Sequence, residues 1–391
     1  MAERVVLHIG AMKTGTTYLQ AVLDSNRDRL AAGGVVTGRL LGRPSGATAK
    51  VLARPSSAEA ARPWHELAER ARRSPAPTAV ISSEFLSFAK PHQIDALLRP
   101  FAGLRVDVVL VVRDQVGGLA SQWQTFSRNF GDAGWPQYLR LIDPARGGDP
   151  ASRSWRTYYR AQEIDRIVTD WGAHPGVAHL HVLPLPRSRA EEHPLWRAFA
   201  EIAGATHVDV EHPVGRVNQS VGHESAQMLQ DLGRRWHQAG HPVGLVRQVM
   251  RPLIADALEP RRAVEHLPQL DRAGWDFAVG RNERALLALS AGARSGLVQV
   301  HGRMEDLTTS VRRADLPTTA PAPRSHELRS AARALWRTAA ESRVLVPGSA
   351  DRATGRPPRT YRGTLRAAHD LITSSEHWQQ TVAAAAPRAA V

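Results

Sequence analysis

Apolar residues fill Val5 to Ile9 at every position but His8 and stop at Gly10, a pattern that predicts a short buried strand. Past Thr17 the period changes: Tyr18, Leu19, Val22, Leu23 and Leu30 share one helical face, and Gly33-Gly34 is a stop signal. Residues 37–60 are rich in Gly, Pro, Ser and Ala and read as a loop. A helix over 63–73 then leads into a second strand over 78–83. Residues 106–112 are apolar at every position except Asp107, which suits a central strand of a parallel sheet covered on both faces. Val116, Leu119, Ala120, Trp123 and Phe130 mark another helix. Trp155, Tyr159, Ile164, Ile167, Val168 and Trp171 mark the next, and a further strand covers 179–185. This alternation predicts an α/β fold with a doubly wound, mainly parallel sheet flanked by helices.

From about residue 223 the signals are mainly helical, as in Met228, Leu229, Leu232 and Trp236. The pattern divides the chain into an α/β domain over 1–312, a Pro-rich linker over 313–326 and a helical C-terminal extension over 327–391. In the extension, Leu328, Ala332, Leu335, Trp336 and Ala339 predict one amphipathic helix, and a second is expected near 365–385. Three roles are open for this tail: covering the active site, self-association into a homo-oligomer, or plain packing on the core.

Composition narrows the setting. No run of about 18 apolar residues occurs, so no membrane span is expected. The apolar stretch at the N-terminus is too short and too early for a signal peptide. Cysteine is absent, which removes disulfides and thiolate metal sites and fits a cytoplasmic location. The net charge of +14 favours an anionic ligand. The arginines are scattered and aromatic interleaving is thin, so a nucleic acid partner is not expected. Of 51 basic residues only Lys13, Lys50 and Lys90 are lysines. A chain that writes nearly every cation as Arg has kept a Lys inside its glycine-threonine loop, where a compact point charge must fit.

That loop is Gly10-Ala11-Met12-Lys13-Thr14-Gly15-Thr16-Thr17, set between a predicted strand and a predicted helix. Free backbone N–H groups and the helix dipole make such a turn an anion site. Thr14, Thr16 and Thr17 can add hydroxyls and Lys13 a mobile charge. The nucleoside-triphosphate loop G-x-x-x-x-G-K-[ST] is not present, because no Gly-Lys pair occurs anywhere. The segment from His8 to Gln20 resembles the 5′-phosphosulfate loop of sulfotransferases that use 3′-phosphoadenosine 5′-phosphosulfate (PAPS), most of all their bacterial branch. The resemblance covers about residues 1–310 and implies a P-loop NTPase-like fold. It also implies PAPS as co-substrate, 3′,5′-adenosine bisphosphate (PAP) as product, and no metal. It assigns Lys13 to the leaving phosphate, and Thr14, Gly15, Thr16 and Thr17 to holding the 5′-phosphate.

Val111-Val112-Arg113-Asp114-Gln115 ends the long apolar strand, and Ser121 follows eight residues after Arg113. In the family an Arg and a Ser so placed bind the 3′-phosphate, in keeping with the bidentate fork of a guanidinium. The other reading of Arg113 is an ion pair with Asp114. A third phosphate-binding segment is expected in Gly215-Arg216-Val217-Asn218-Gln219-Ser220, with Arg216 as its cation; a capped helix start is the alternative. Sulfuryl transfer also needs a group that takes the acceptor proton. The better-known cytosolic members use a His after the second strand, whereas Ile81-Ser82-Ser83-Glu84 ends this one with a carboxylate, resembling the branch in which Glu is the base. A surface ion pair is the competing reading of Glu84. His8 reads mainly as a core histidine. His179 and His181 share a strand face, as metal ligands can, but no third ligand is apparent. The expected activity is transfer to a hydroxyl or amine of a sugar, lipid or small natural product. A nucleotide kinase and a non-catalytic nucleotide-binding module are the alternatives.

Overall fold

The computed structural model describes residues 2–38, 44–187, 192–213, 220–241, 243–342, 357–375 and 378–381. Its strands are β1 (Arg4–Gly10), β2 (Val35–Thr37), β3 (Thr78–Ser82), β4 (Arg105–Val112), β5 (His179–Pro184) and β6 (Val298–Val300). The helices of the first half are α1 (Thr16–Ser25), α2 (Arg27–Ala32), α3 (Pro44–Ala53), α4 (Ala58–Arg73), α5 (Pro91–Leu98), α6 (Gln115–Arg128), α7 (Trp135–Ile142), α8 (Arg153–Gln162) and α9 (Ile164–Gly172). Those of the second half are α10 (Pro194–Ala203), α11 (His223–Gln238), α12 (Val243–Ala257), α13 (Arg272–Arg294), α14 (Ser325–Glu341) and α15 (Tyr361–Thr373).

The chain forms two compact units. The first comprises Met1–Gly118, Tyr158–Asn218 and Asp276–Arg312; the second comprises Leu119–Thr157, Gln219–Trp275 and Arg313–Val391. The first unit holds a six-stranded, all-parallel sheet in the order β2-β3-β1-β4-β5-β6. Strand alternation sends Val5, Leu7 and Ile9 to one face and Val6 and His8 to the other. On the first face Trp64, Leu67, Ile94, Ile167, Trp171 and Leu289 complete a core; on the second, Leu19, Val22, Leu30, Phe199 and Ile202 do. Helices therefore cover both faces, which is why 106–112 could be apolar at consecutive positions. Asp107 is the exception at the amino end of β4.

The chain leaves β1 toward β2 and β3, and leaves β4 toward β5 and β6, so the direction of winding reverses between β1 and β4. In open α/β sheets, the crevice beyond the carboxyl ends at such a reversal is where ligands bind.

Three expectations about elements need correction. Residues 37–60, read as loop, contain α3 and the start of α4, because Ala47, Val51 and Leu52 bury a face on the sheet core. β2 and β6, three residues each, are too short to show a period in sequence. The single helix read over 155–171 is two, α8 and α9. The step from Tyr159 to Ile164 is one residue too long for a continuous apolar stripe, and the break falls there.

In the second unit, Trp123 packs on Trp135, Phe126 on Tyr138, and Phe130 edge-on against Trp236, with ring centroids 5.1–5.4 Å apart. α14 joins this unit through Arg324–Glu224 and Arg261–Glu327 ion pairs, and Tyr361 at the start of α15 donates to Asp231 Oδ2 at 2.6 Å. The last predicted helix is thus observed over Tyr361–Thr373, and the part of that prediction beyond residue 381 lies outside the described residues. Among the described residues no helix is long and apolar enough to cross a membrane.

Candidate active site at the carboxyl edge of the sheet

β1 ends at Gly10 in a left-handed conformation (φ +104°), and a Cβ there would lie 3.4 Å from the Cα of Glu84. The positive φ is what asks for glycine here, and the position lies in contact range of the start of the 3₁₀ turn Glu84–Phe88. The chain stays on β4 for one more residue, Ala11 donating to the Val111 carbonyl at 2.8 Å. It then turns through Lys13 and Gly15, both left-handed (φ +67° and +93°), to start α1. A Cβ on Gly15 would meet Leu195 Cδ2 at 2.8 Å, so conformation and space both ask for glycine.

The loop is braced from within and without. Thr14 and Thr16 both donate their hydroxyl protons to the Ala11 carbonyl, at 2.7 and 3.1 Å. Those protons hold the turn, so what these residues can offer an anion is the backbone N–H. The N–H groups of Thr14, Gly15 and Thr16 meet no acceptor among the described residues, and they open the N-terminus of a ten-residue helix. From outside, Gln162 Nε2 donates to the Met12 carbonyl at 2.9 Å and Arg113 Nη1 to the Lys13 carbonyl at 3.1 Å. Behind Gln162 a buried chain runs through Gln115 to the Tyr158 hydroxyl, while Asn282 bonds both the Gln115 N–H and Asp114.

Arg113 leaves β4 and folds back along the first turn of α6. Gly117 makes the room: a Cβ there would stand 3.0 Å from Asp114 Oδ2 and 3.1 Å from Arg113 Nη2, whereas one on Gly118 would only touch Arg113 Cδ at 3.8 Å. Burial lowers the Arg113 pKa, against the opposing pull of Asp114. Asp114 itself caps α6, accepting from the Val116 and Gly117 N–H groups at 3.1 and 2.8 Å.

Glu84 is half-buried beside the loop, and Gln20 of α1 holds it. The Gln20 amide donates to Glu84 Oε2 and to Ser82 Oγ, both at 3.2 Å. Ser82 Oγ lies 2.8 Å from His8 Nδ1. His8 is fully enclosed, its ring edge-on to Phe199, and burial pushes its pKa down to about 4. It is a neutral core histidine.

The structure therefore brings Lys13, Thr14, Gly15, Thr16, Thr17, Glu84 and Arg113 together around one turn. Ser121 lies further along α6, within the second unit. Arg216 lies outside the described residues. Sequence reasoning missed the supporting amides Gln20, Gln115, Gln162 and Asn282. Their signal was polar residues recurring on otherwise buried helix faces.

At the amino end of the sheet, the third companion of His179 and His181 proves to be Asp107: ligand atoms of the three lie within 4.8 Å of one another. Register explains the meeting, because Asp107 pairs with His179 across β4 and β5. Arg4 and Arg105 both reach the Asp107 carboxylate, and His179 Nδ1 is 3.2 Å from it. His181 Nε2 stands further off, 3.8 Å from Asp107 Oδ1. Burial alone would raise the Asp107 pKa; the His181 ring and the two guanidinium groups outweigh it and hold the carboxyl far below the usual range. A cation there would have to compete with two arginines already in place.

Compared with family models, curated proteins and solved structures, the chain has no match in any of the three.

Proposed function

We propose that this chain is a sulfotransferase that moves a sulfuryl group from PAPS to a hydroxyl or amine of a sugar, lipid or small natural-product acceptor. The observation that carries the reading is the pairing of two features at the winding reversal: an N-terminal helix turn with unspent N–H groups and Lys13, and a carboxylate, Glu84, held beside it by Gln20. The first suits a phosphate leaving group, the second an acceptor that must lose a proton.

Glu84 accepts the proton of the acceptor as its oxygen or nitrogen forms the new bond to sulfur. The bond from sulfur to the bridging phosphate oxygen breaks, and the electron pair departs on the 5′-phosphate of PAP. Lys13 and the α1 N-terminus stabilise that charge, which exists in full only as the bond breaks. Gln20 is a positioning residue, since it fixes one carboxylate oxygen and leaves the other for the acceptor. Arg113 steadies the loop through the Lys13 carbonyl and keeps further guanidinium donors for the 3′-phosphate, with Ser121 and Arg216 as its partners by resemblance.

The test is thermal stabilisation by PAP against ATP with Mg²⁺, followed by labelled-sulfate transfer from PAPS to a panel of acceptors. PAP should raise the unfolding temperature and ATP should not. Stabilisation by ATP with none by PAP would turn the reading to a nucleotide kinase.

A further inference from the structure

A row of arginines on α14, in the other unit and independent of the sulfotransferase reading, faces a groove. One face of this helix buries Ala331, Ala332, Leu335, Ala339 and Ala340. Beside it runs a groove of about 470 Å³ lined by Arg261, His326, Arg329, Ser330, Arg333 and Arg337. Arg329, Arg333 and Arg337 recur every four residues, about 6 Å apart along the axis.

Several half-buried or buried arginines in this protein are matched by a carboxylate, as in Arg4–Asp107, Arg128–Glu259, Arg146–Asp271 and Arg281–Asp165. The α14 row is not: among the described residues, none of its three arginines has an ion-pair partner within 4 Å. Arg333 Nε is buried with no acceptor. Like charges at i,i+4 weaken a helix, and an unfilled buried donor weakens it further. One wall is rigid, because Arg261 is tied to Glu265, Glu327 and the Ser330 hydroxyl at 2.8, 2.6 and 2.8 Å. Ser330, accepting from Arg261, still has its own proton to donate.

We propose that this groove binds a small polyanion carrying two or three phosphate or sulfate ester groups about 6 Å apart. Guanidinium forks suit such oxyanions, and the volume is that of a small-molecule pocket rather than a flat track. His326 is the one ring in its lining and no Phe, Tyr or Trp joins it, so it lacks the row of stacking platforms that single-stranded nucleic acid uses.

Calorimetric titration with tripolyphosphate at near-physiological salt tests this, using the full-length Lys13→Ala variant so that the Lys13 charge does not contribute. One saturable site per chain is expected, weakened about tenfold or more by Arg333→Ala and by the double variant Arg329→Gln/Arg337→Gln. The double variant changes only exposed side chains and keeps the test valid should Arg333→Ala misfold. Arg251→Gln, an exposed charge elsewhere in the same unit, should bind as the parent does. Sucrose octasulfate run in parallel distinguishes sulfate from phosphate esters; saturable binding of either supports the site. The proposal fails if Arg251→Gln weakens binding as much as Arg333→Ala, which would make it a net-charge effect. It fails equally if neither tripolyphosphate nor sucrose octasulfate gives saturable binding, or if an oligothymidylate binds more tightly than either small anion.

Discussion

One face of the sheet carries a polar cluster at each end, and the two are built in opposite ways. At the amino end, the Asp107 carboxylate accepts from Arg4 and Arg105 and lies beside His179, so its lone pairs are spent inside the protein. At the carboxyl end, the hydroxyls and carbonyls are used up shaping a turn, and what is left over is a row of donors at α1. Charge, burial and histidine content would rank the amino-end cluster first as a site. Counting unspent hydrogen-bonding capacity reverses the order. A closed network stabilises; a network with unspent donors binds.

Substitutions at the two ends should therefore separate activity from stability. The largest effects are expected on sulfate transfer. Glu84→Gln should slow it by roughly 10²–10⁴-fold. Lys13→Ala follows with about 10²–10³-fold, and Gln20→Ala with about tenfold, through kcat with little change in nucleotide KM. All three should unfold in urea as the parent does. A Glu84→Gln chain that transfers at the parental rate would remove this carboxylate as the base.

Asp107→Asn should do the reverse, lowering unfolding free energy by about 3 kcal/mol, since it strips the charge from between two guanidinium groups, while leaving nucleotide binding intact. Zinc-dependent stabilisation of the parent, lost in Asp107→Asn, would show instead that the amino-end cluster is open to a cation.

A pH dependence with two separable limbs completes the comparison. His8 is neutral in the fold, with a pKa of about 4 against an unfolded value near 6.5, so the unfolded chain binds the extra proton in that window. Its contribution is complete above pH 6.5 and falls by roughly 3 kcal/mol as pH drops toward 4. His223 in the second unit, also lowered to about 4 mainly by burial, adds in the same direction. Asp107 has a lowered pKa, so its contribution is lost only below the ordinary carboxylate range. Denaturation from pH 7 to 2 should show His8→Gln flattening the upper limb and Asp107→Asn the lower one.

Much of this was legible in sequence, for identifiable reasons. The strand 106–112 and the β1-loop-α1 unit announce themselves because a doubly covered parallel strand is apolar throughout and an anion turn needs glycine at fixed places. Asp107 was visible as the odd residue in that strand, yet its pairing with His179 depends on a register between strands some 70 residues apart, which no local pattern encodes. Gln20 stood within the recognised segment, but its task became clear only once α1 lay against the end of β3. The α3 helix was hidden because Gly, Pro and Ser dominate its neighbourhood, and packing on the sheet overrides that local preference.

Gly117 carries a consequence that reaches well beyond its own turn. A side chain there would press on the Arg113 guanidinium, which in turn holds the Lys13 carbonyl. Residues 13, 113 and 117 thus behave as a single inherited unit, though more than a hundred positions separate the first from the last. A change at the glycine, which has no functional group to lose, would be felt as a misplaced lysine, and among descendants of this chain the three should covary.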